Sequence, residues 1–330
     1  MTAPSPTTKP QVEYHQVTAE IAGQRLDNYL LARLKGVPKS WVYRVIRRGE
    51  VRINKGRAKP SQHIQTGDQI RIPPVRTRPE TSIQPNQVLQ QRIQDAILYE
   101  DDQFLVLNKP SGIAVHGGSG ISQGVIEILR SLRPPPAYLE LVHRLDRETS
   151  GCLMIAKKRS VLRQIQQLQQ QHHINKRYMA MVHGTWSEQK VRVEAPLCKN
   201  TLQNGERIVK VDPNGKIAKT QFRVQQHIGD NQLVEARIET GRTHQIRVHA
   251  AHLGTPILGD EKYGNTQHNR AMRQQGLKRL FLHAWQLRFR WPNEQGQHHF
   301  TAPLPAELVE VVDRLGKLEP NMSPNTDQQK

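Results

Sequence analysis

His143-Arg144-Leu145-Asp146-Arg147-Glu148-Thr149-Ser150-Gly151 places one carboxylate between two arginines, directly before the apolar run 152–156. The polar stretch reads as a loop and the run after it as a strand, since a short apolar run bounded by turn residues fits a pleated, buried surface. Downstream, strands are expected at 178–183, 218–225, 233–239 and 285–290. Upstream, 97–100 and 104–108 form an expected hairpin around Asp101-Asp102, closed by Lys109-Pro110-Ser111-Gly112. Helices are expected at 125–132, 160–171, 244–253 and 306–315. Hairpins mixed with isolated helices point to an α+β domain, a mixed, largely antiparallel sheet with flanking helices, and not to a doubly wound sheet.

A smaller unit precedes it. Leu26, Leu30 and Leu34 recur every four residues on one helical face that ends at Gly36 and Pro38. Ser40 is read as the cap of a second helix, with Val42, Val45 and Ile46 on one side and Arg44, Arg47 and Arg48 on the other. Val51-Arg52-Ile53, the turn Asn54-Lys55-Gly56 and residues 69–72 add two short strands, so the module is αα-β. The expected organisation is a disordered tail at 1–13, the small domain at 14–74, a linker at 75–92 holding Pro79 and Pro85, the large domain at 93–316 and a second disordered tail at 317–330.

Forty-eight Lys and Arg against 29 Asp and Glu give a net charge of +19, which implies a polyanionic partner, with nucleic acid first. Residues 21–74 alone carry 12 basic and three acidic side chains, 12 − 3 = +9. A solvated arginine face is common on surface helices. Here the three arginines stand three and four residues apart, a spacing that meets successive phosphates, and Lys39, Arg52, Lys55, Arg57 and Lys59 continue the positive surface. No run of about 18 apolar residues could span a bilayer, and residues 1–11 lack the apolar stretch of a secretory signal, so a cytoplasmic protein is expected, and a monomer. Cys152 and Cys198 lack metal spacing and are read as small buried residues. The spacing of His244, His249 and His252 scatters their rings, and His172-His173 and His298-His299 are read as polar surface, so neither metal nor cofactor is expected.

An Asp flanked by arginines is by itself most often an ordinary loop ion pair. Four ordered segments change that reading: 143–151, Lys176-Arg177-Tyr178, the block from Glu239 through Arg242-Thr243-His244-Gln245-Ile246-Arg247 to His249, and Phe281-Leu282-His283-Ala284. Together they resemble the pseudouridine synthases of large-subunit ribosomal RNA and their relatives, the one departure in the first segment being Glu148 where Asp is usual. Residues 25–68 resemble the small RNA-binding domain named after a ribosomal small-subunit protein. The resemblance implies isomerisation of uridine to pseudouridine with no cofactor, Asp146 as the catalytic carboxylate, Tyr178 against the base with a part in proton transfer, Arg247 paired with Asp146, Leu282 bordering the base pocket and Arg144 filling the gap left by the extruded base. The implied substrate is 23S ribosomal RNA. Transfer RNA, another ribosomal hairpin, and a non-catalytic ribosome-assembly role stay open at this point.

Overall fold

The computed structural model describes residues 11–19, 21–34, 36–75, 86–117, 123–134, 138–201, 207–292 and 296–316. Both expected tails, except 11–13, and residues 76–85 of the expected linker lie outside these. The chain divides into two compact units, Met1–Gln84 and Pro85–Lys330.

In the first unit, α1 (Leu26–Arg33) and α2 (Lys39–Arg47) cover a four-stranded antiparallel sheet of order β1 (Glu13–Gln16), β4 (Gln69–Ile72), β2 (Arg52–Ile53), β3 (Gly56–Arg57). The leucines spaced by four are buried, and Val42, Val45 and Ile46 of α2 join them in one core with Val51, Ile64, Ile70 and Ile72. Ser40 does not cap α2. The helix starts one residue earlier, behind Pro38, whose φ of −59° already suits helix entry. Asn54 and Lys55 have φ of 50° and 69°, the two-residue turn whose twist matches the β2–β3 hairpin. Glu13 pairs with Ile72, so the first strand begins inside the expected tail.

The second unit is built on a ten-stranded sheet. In chain order its elements are α3 (Gln87–Asp95), β5 (Ile97–Glu100), β6 (Phe104–Lys109), α4 (Val125–Ser131), β7 (Glu140–Leu141), β8 (Ser150–Ala156), α5 (Arg159–Gln170), β9 (Asn175–His183), β10 (Lys190–Glu194), β11 (Leu197–Thr201), β12 (Arg207–Val211), β13 (Lys219–Ile228), β14 (Asn231–Ile238), α6 (Gln245–His252), α7 (Thr266–Gln274), β15 (Leu282–Phe289), β16 (His298–Thr301) and α8 (Ala306–Gly316). The main path runs β10-β13-β14-β9-β15-β8-β6-β5, with β16 on β15, β7 on β8, and β11-β12 a separate hairpin. Every described pair is antiparallel except β15 with β8. This is the expected α+β architecture.

Alternation along β6 and β8 sorts the core into two layers. Leu105, Leu107, Leu153 and Ile155 face one layer with Val125, Ile128 and Leu129 of α4. Phe104, Val106, Cys152 and Met154 face the other with Val161, Ile165 and Leu168 of α5. Burial on both faces explains why β8 is apolar without a period, the pattern read at 152–156.

Helix α3 begins inside the expected linker and runs into the expected large domain, capped by the Asn86 side chain, which accepts from Val88 N at 2.9 Å. It was not legible because only Ile93 is buried, and α7 likewise buries only Asn269. His298 is not polar surface. Its ring stacks on Phe289 at 4.9 Å between centroids, within an aromatic cluster of Phe104, Trp291 and Phe300. Cys198 is only half-buried, unlike Cys152. Among the described residues no helix is long and apolar enough to cross a membrane.

Candidate active site

Asp146 lies in the loop that feeds β8, and hydrogen bonds to and from residues 109–113 hold that loop. Lys109, fully buried at the end of β6, donates from Nζ to the carbonyls of Pro110, Ile113 and Arg147 at 2.8, 2.8 and 3.1 Å. Burial pushes this amine down to about 7. Gly112 N donates to the Arg147 carbonyl, Arg147 Nε donates back to the Gly112 carbonyl at 2.9 Å, and Ser111 Oγ donates to the Glu148 carbonyl at 2.7 Å. Two residues past the loop, Gly151 has φ +108°, and a Cβ there would overlap the Ala284 carbonyl. Glycine therefore lets β8 and β15 close up and brings the loop beside Leu282.

The opposite wall is α6. The Gln245 side chain accepts from Arg242 N at 3.0 Å and Thr240 Oγ1 at 2.7 Å and donates to the Lys219 carbonyl at 2.9 Å, which anchors the start of the helix to β13. Arg247 then projects between two carboxylates. Its Nε and one terminal nitrogen grip Asp260 at 2.7 and 2.8 Å, and the other terminal nitrogen donates to Asp146 at 3.3 Å. Asp260 is 1% exposed and also accepts from Lys262 N and Tyr263 N at 2.9 and 3.0 Å. Burial works to raise its carboxyl, but the Arg247 contacts and backbone donors outweigh that and hold it below the ordinary carboxylate range. The Tyr263 ring lies under the guanidinium at 5.1 Å.

His244, just before α6, has φ +54°, and its Nε2 stands 3.9 Å from Asp146. Its Nδ1 meets the Tyr263 hydroxyl at 2.7 Å, and that hydroxyl already accepts from Val209 N at 2.9 Å. One hydrogen, from the ring or from the hydroxyl, makes that contact, and the other ring nitrogen, Nε2, is the one that faces Asp146. Burial lowers the His244 pKa despite the nearby carboxylate, so the neutral ring is favoured.

These walls enclose a cavity of about 300 Å³. Asp146, Tyr178, Arg247, Arg144 and Leu282, all singled out in the sequence, line it together. Tyr178 is buried on β9, its phenol pushed up by burial and then by the Asp146 charge, and no described residue bonds its hydroxyl. Arg144 is exposed. Asp146 is the one acidic side chain among the lining residues, against Arg144, Lys176, Arg242 and Arg247. Sequence reasoning missed Asp260, Tyr263 and the anchoring by Lys109, and weighed His244 only as a metal ligand. No local pattern marks Asp260, whose partners come together only through folding. Among the described residues no group of three or more His, Cys, Asp or Glu could hold a metal.

In the first unit Lys39, Arg44, Arg47, Arg48, Arg52 and Lys55 are all exposed. Arg52 is partly committed, since it donates to the Gly49 and Lys55 carbonyls at 3.2 and 3.4 Å, and Arg48 stands 3.9 Å from Glu50.

Comparison with known proteins gives the constellation its context. A Yersinia pestis protein named ribosomal large subunit pseudouridine synthase C is 50% identical over 94% of this chain and 98% of its own. The chain belongs to the RNA pseudouridylate synthase family. The model of that family matches residues 103–252, and the S4 domain model matches residues 24–70. An Escherichia coli K12 protein of the same name is 49% identical over 94% of this chain and 98% of its own. The solved structure of human RNA pseudouridylate synthase domain containing 4 superposes with a TM-score of 0.57 at 28% identity, over 69% of this chain and 95% of that one. The chain is thus an RNA pseudouridylate synthase with an amino-terminal S4 domain.

Proposed function

We propose that this synthase isomerises uridine to pseudouridine in the 23S ribosomal RNA of the large subunit, with Asp146 as the catalytic carboxylate. The observation that carries the reading is the solitary acid in a cavity that four Arg and Lys side chains also line, held by Arg247 and set beside Tyr178. Relatives named for the large ribosomal subunit support the choice of RNA. The reaction breaks the bond from N1 to the sugar, turns the uracil and rejoins it through C5. N1 gains a proton and C5 loses one, so no atom is exchanged and no cofactor is called for. A carboxylate at the sugar assists departure of the base. Tyr178, apolar in body and with an unbonded hydroxyl, packs against the turning ring and serves the C5 proton. A stacked base must be extruded first, and Arg144, exposed at the cavity, fills its place. Arg44, Arg47 and Arg48, with Lys39, Arg52 and Lys55, hold the phosphates.

The test is to map pseudouridines by carbodiimide adducts and primer extension in total RNA from cells with the protein, without it, and complemented with Asp146→Asn. Large-subunit signals that vanish without the protein and return only with the wild-type chain support the reading. Signals lost from transfer RNA alone would move the substrate, and full restoration by Asp146→Asn would remove the carboxylate from the mechanism.

A further inference from the structure

Lys176 takes no part in that chemistry, yet its position is costly. It is the second residue of β9 and 9% exposed, and no described oxygen, carbonyl or carboxylate, accepts a hydrogen bond from its Nζ. Lys109, which is fully buried, satisfies three carbonyls. Burial alone pushes the Lys176 amine down to about 8, with no neighbouring acid to hold its charge. A buried cation without a partner destabilises a fold, and an apolar side chain of similar length would fill the same space better.

Its surroundings explain the arrangement. Lys176 lines the Asp146 cavity and also a second cavity of about 260 Å³, and Gln169, Ile238 and Gly241 are shared in the same way, so the two adjoin. The second cavity also borders Arg237, but Ile238 pairs with Lys176 and Arg237 with Arg177, so alternation turns the Arg237 side chain to the opposite, exposed face of the sheet. The cavity's one carboxylate, Glu239, stands 3.9 Å from Arg192, and its one histidine, His172, has Nδ1 2.9 Å from the Glu239 carbonyl. An extruded nucleotide carries a phosphate on each side, and the strand leaving the first cavity needs a positive path.

We propose that Lys176 forms an anion subsite, where the two cavities adjoin, that takes a phosphodiester of the RNA strand flanking the extruded uridine. This rests on the RNA reading above but not on the identity of the catalytic residue. The subsite gives binding and register, and the RNA phosphate supplies the acceptor that no described residue gives the amine.

The test measures binding of an unmodified large-subunit ribosomal RNA transcript across a salt series, in the Asp146→Asn background so that no turnover is needed. Lys176→Met should weaken binding about 10-fold near 0.1 M salt and flatten the log–log salt dependence by about 0.7–0.9, the share of one phosphate. Lys176→Arg should keep the slope, Arg237→Gln on the opposite face should leave it unchanged, and the melting temperature of Lys176→Met should equal or exceed that of the parent. With Asp146 restored, Lys176→Met should raise KM and leave kcat within about two-fold, the signature of lost uniform binding. Unchanged slope and affinity in Lys176→Met overturn the subsite. So does a drop in melting temperature that accounts for the lost affinity, or a fall in kcat at unchanged KM, which would place the amine in bond breaking. Absence of pseudouridine from the wild-type transcript counts against the proposed reaction, while the slopes still decide the subsite.

Discussion

In the smaller unit Arg25 grips Asp27 with two nitrogens at 3.1 and 2.6 Å, and in the larger one Arg247 grips Asp260 at 2.7 and 2.8 Å. Both aspartates are 1% exposed, but the arginines differ, since the Arg25 side chain is 46% exposed and that of Arg247 10%. Asp27 also accepts from the Tyr43 hydroxyl at 3.1 Å, so the first pair ties α1 to α2 and ends there. The second pair leaves one guanidinium nitrogen free to face Asp146 across the cavity. The same bidentate geometry fastens two helices in one unit and, in the other, holds a charge in a fixed place.

That contrast can be broken by substitution, beginning with the residue at its centre. Asp146→Asn should lower turnover by roughly 10³-fold or more while RNA affinity stays within a few-fold, because the proposed mechanism gives the carboxylate bond breaking and the cations binding. Single-turnover assays and filter binding read the two separately. Asp260→Asn comes next, since it strands a buried guanidinium. It should cost about 3–5 kcal/mol of stability and reduce kcat more than affinity. Asp27→Asn should cost less stability and leave kcat at saturating RNA unchanged. Equal losses of stability and activity in the two variants would erase the distinction.

Acid titration sharpens it. The Asp260 carboxyl is lowered in the fold, so its contribution is complete above the ordinary carboxylate value and is lost as pH falls through the lower folded value. Asp260→Asn should flatten denaturation in that acid range. At higher pH the larger unit has a second source of acid sensitivity. His283 bridges Ser150 Oγ at 2.8 Å and the Ala302 carbonyl at 3.0 Å, and burial pushes it down to about 4. The unfolded histidine takes up its proton first, near pH 6.5. Stability should therefore fall from about pH 6.5 toward 4, and His283→Gln should flatten that slope by up to about 1.4 kcal/mol per pH unit. The smallest effect on chemistry belongs to the basic face. Arg44, Arg47 and Arg48 replaced by Gln should flatten the salt dependence of binding by about 0.7–0.9 for each phosphate that is no longer neutralised, with helicity by circular dichroism and kcat at saturating RNA nearly unchanged. A wild-type slope in that triple variant would make these arginines merely solvated.

Elements with a full apolar face were legible from residues alone: Leu26, Leu30 and Leu34 on α1, the buried face of α2, the unbroken run of β8. Elements anchored by one buried residue, α3 through Ile93 and α7 through Asn269, carried no period to read. Arg144 and Arg147 flank Asp146 in sequence, yet neither is its described partner. Arg147 donates to the Gly112 carbonyl, and the hydrogen bond to Asp146 comes from a helix 101 residues away.

Local periodicity, turn chemistry and charge excess thus determined the α+β class, the separate basic module and the segment that carries the acid, because each is written in residues a few positions apart. The resemblance of four ordered segments added the choice of Arg247. Tertiary structure alone decided that Asp260 would hold that arginine, that Tyr263 would orient His244, and that Lys176 would be buried without an acceptor between two cavities. Those outcomes depend on β9, β15 and β8 lying side by side, with β15 parallel to β8. Which groups meet under that sheet, and which are left unsatisfied, follows from strand order and long-range burial, which no local window of sequence contains.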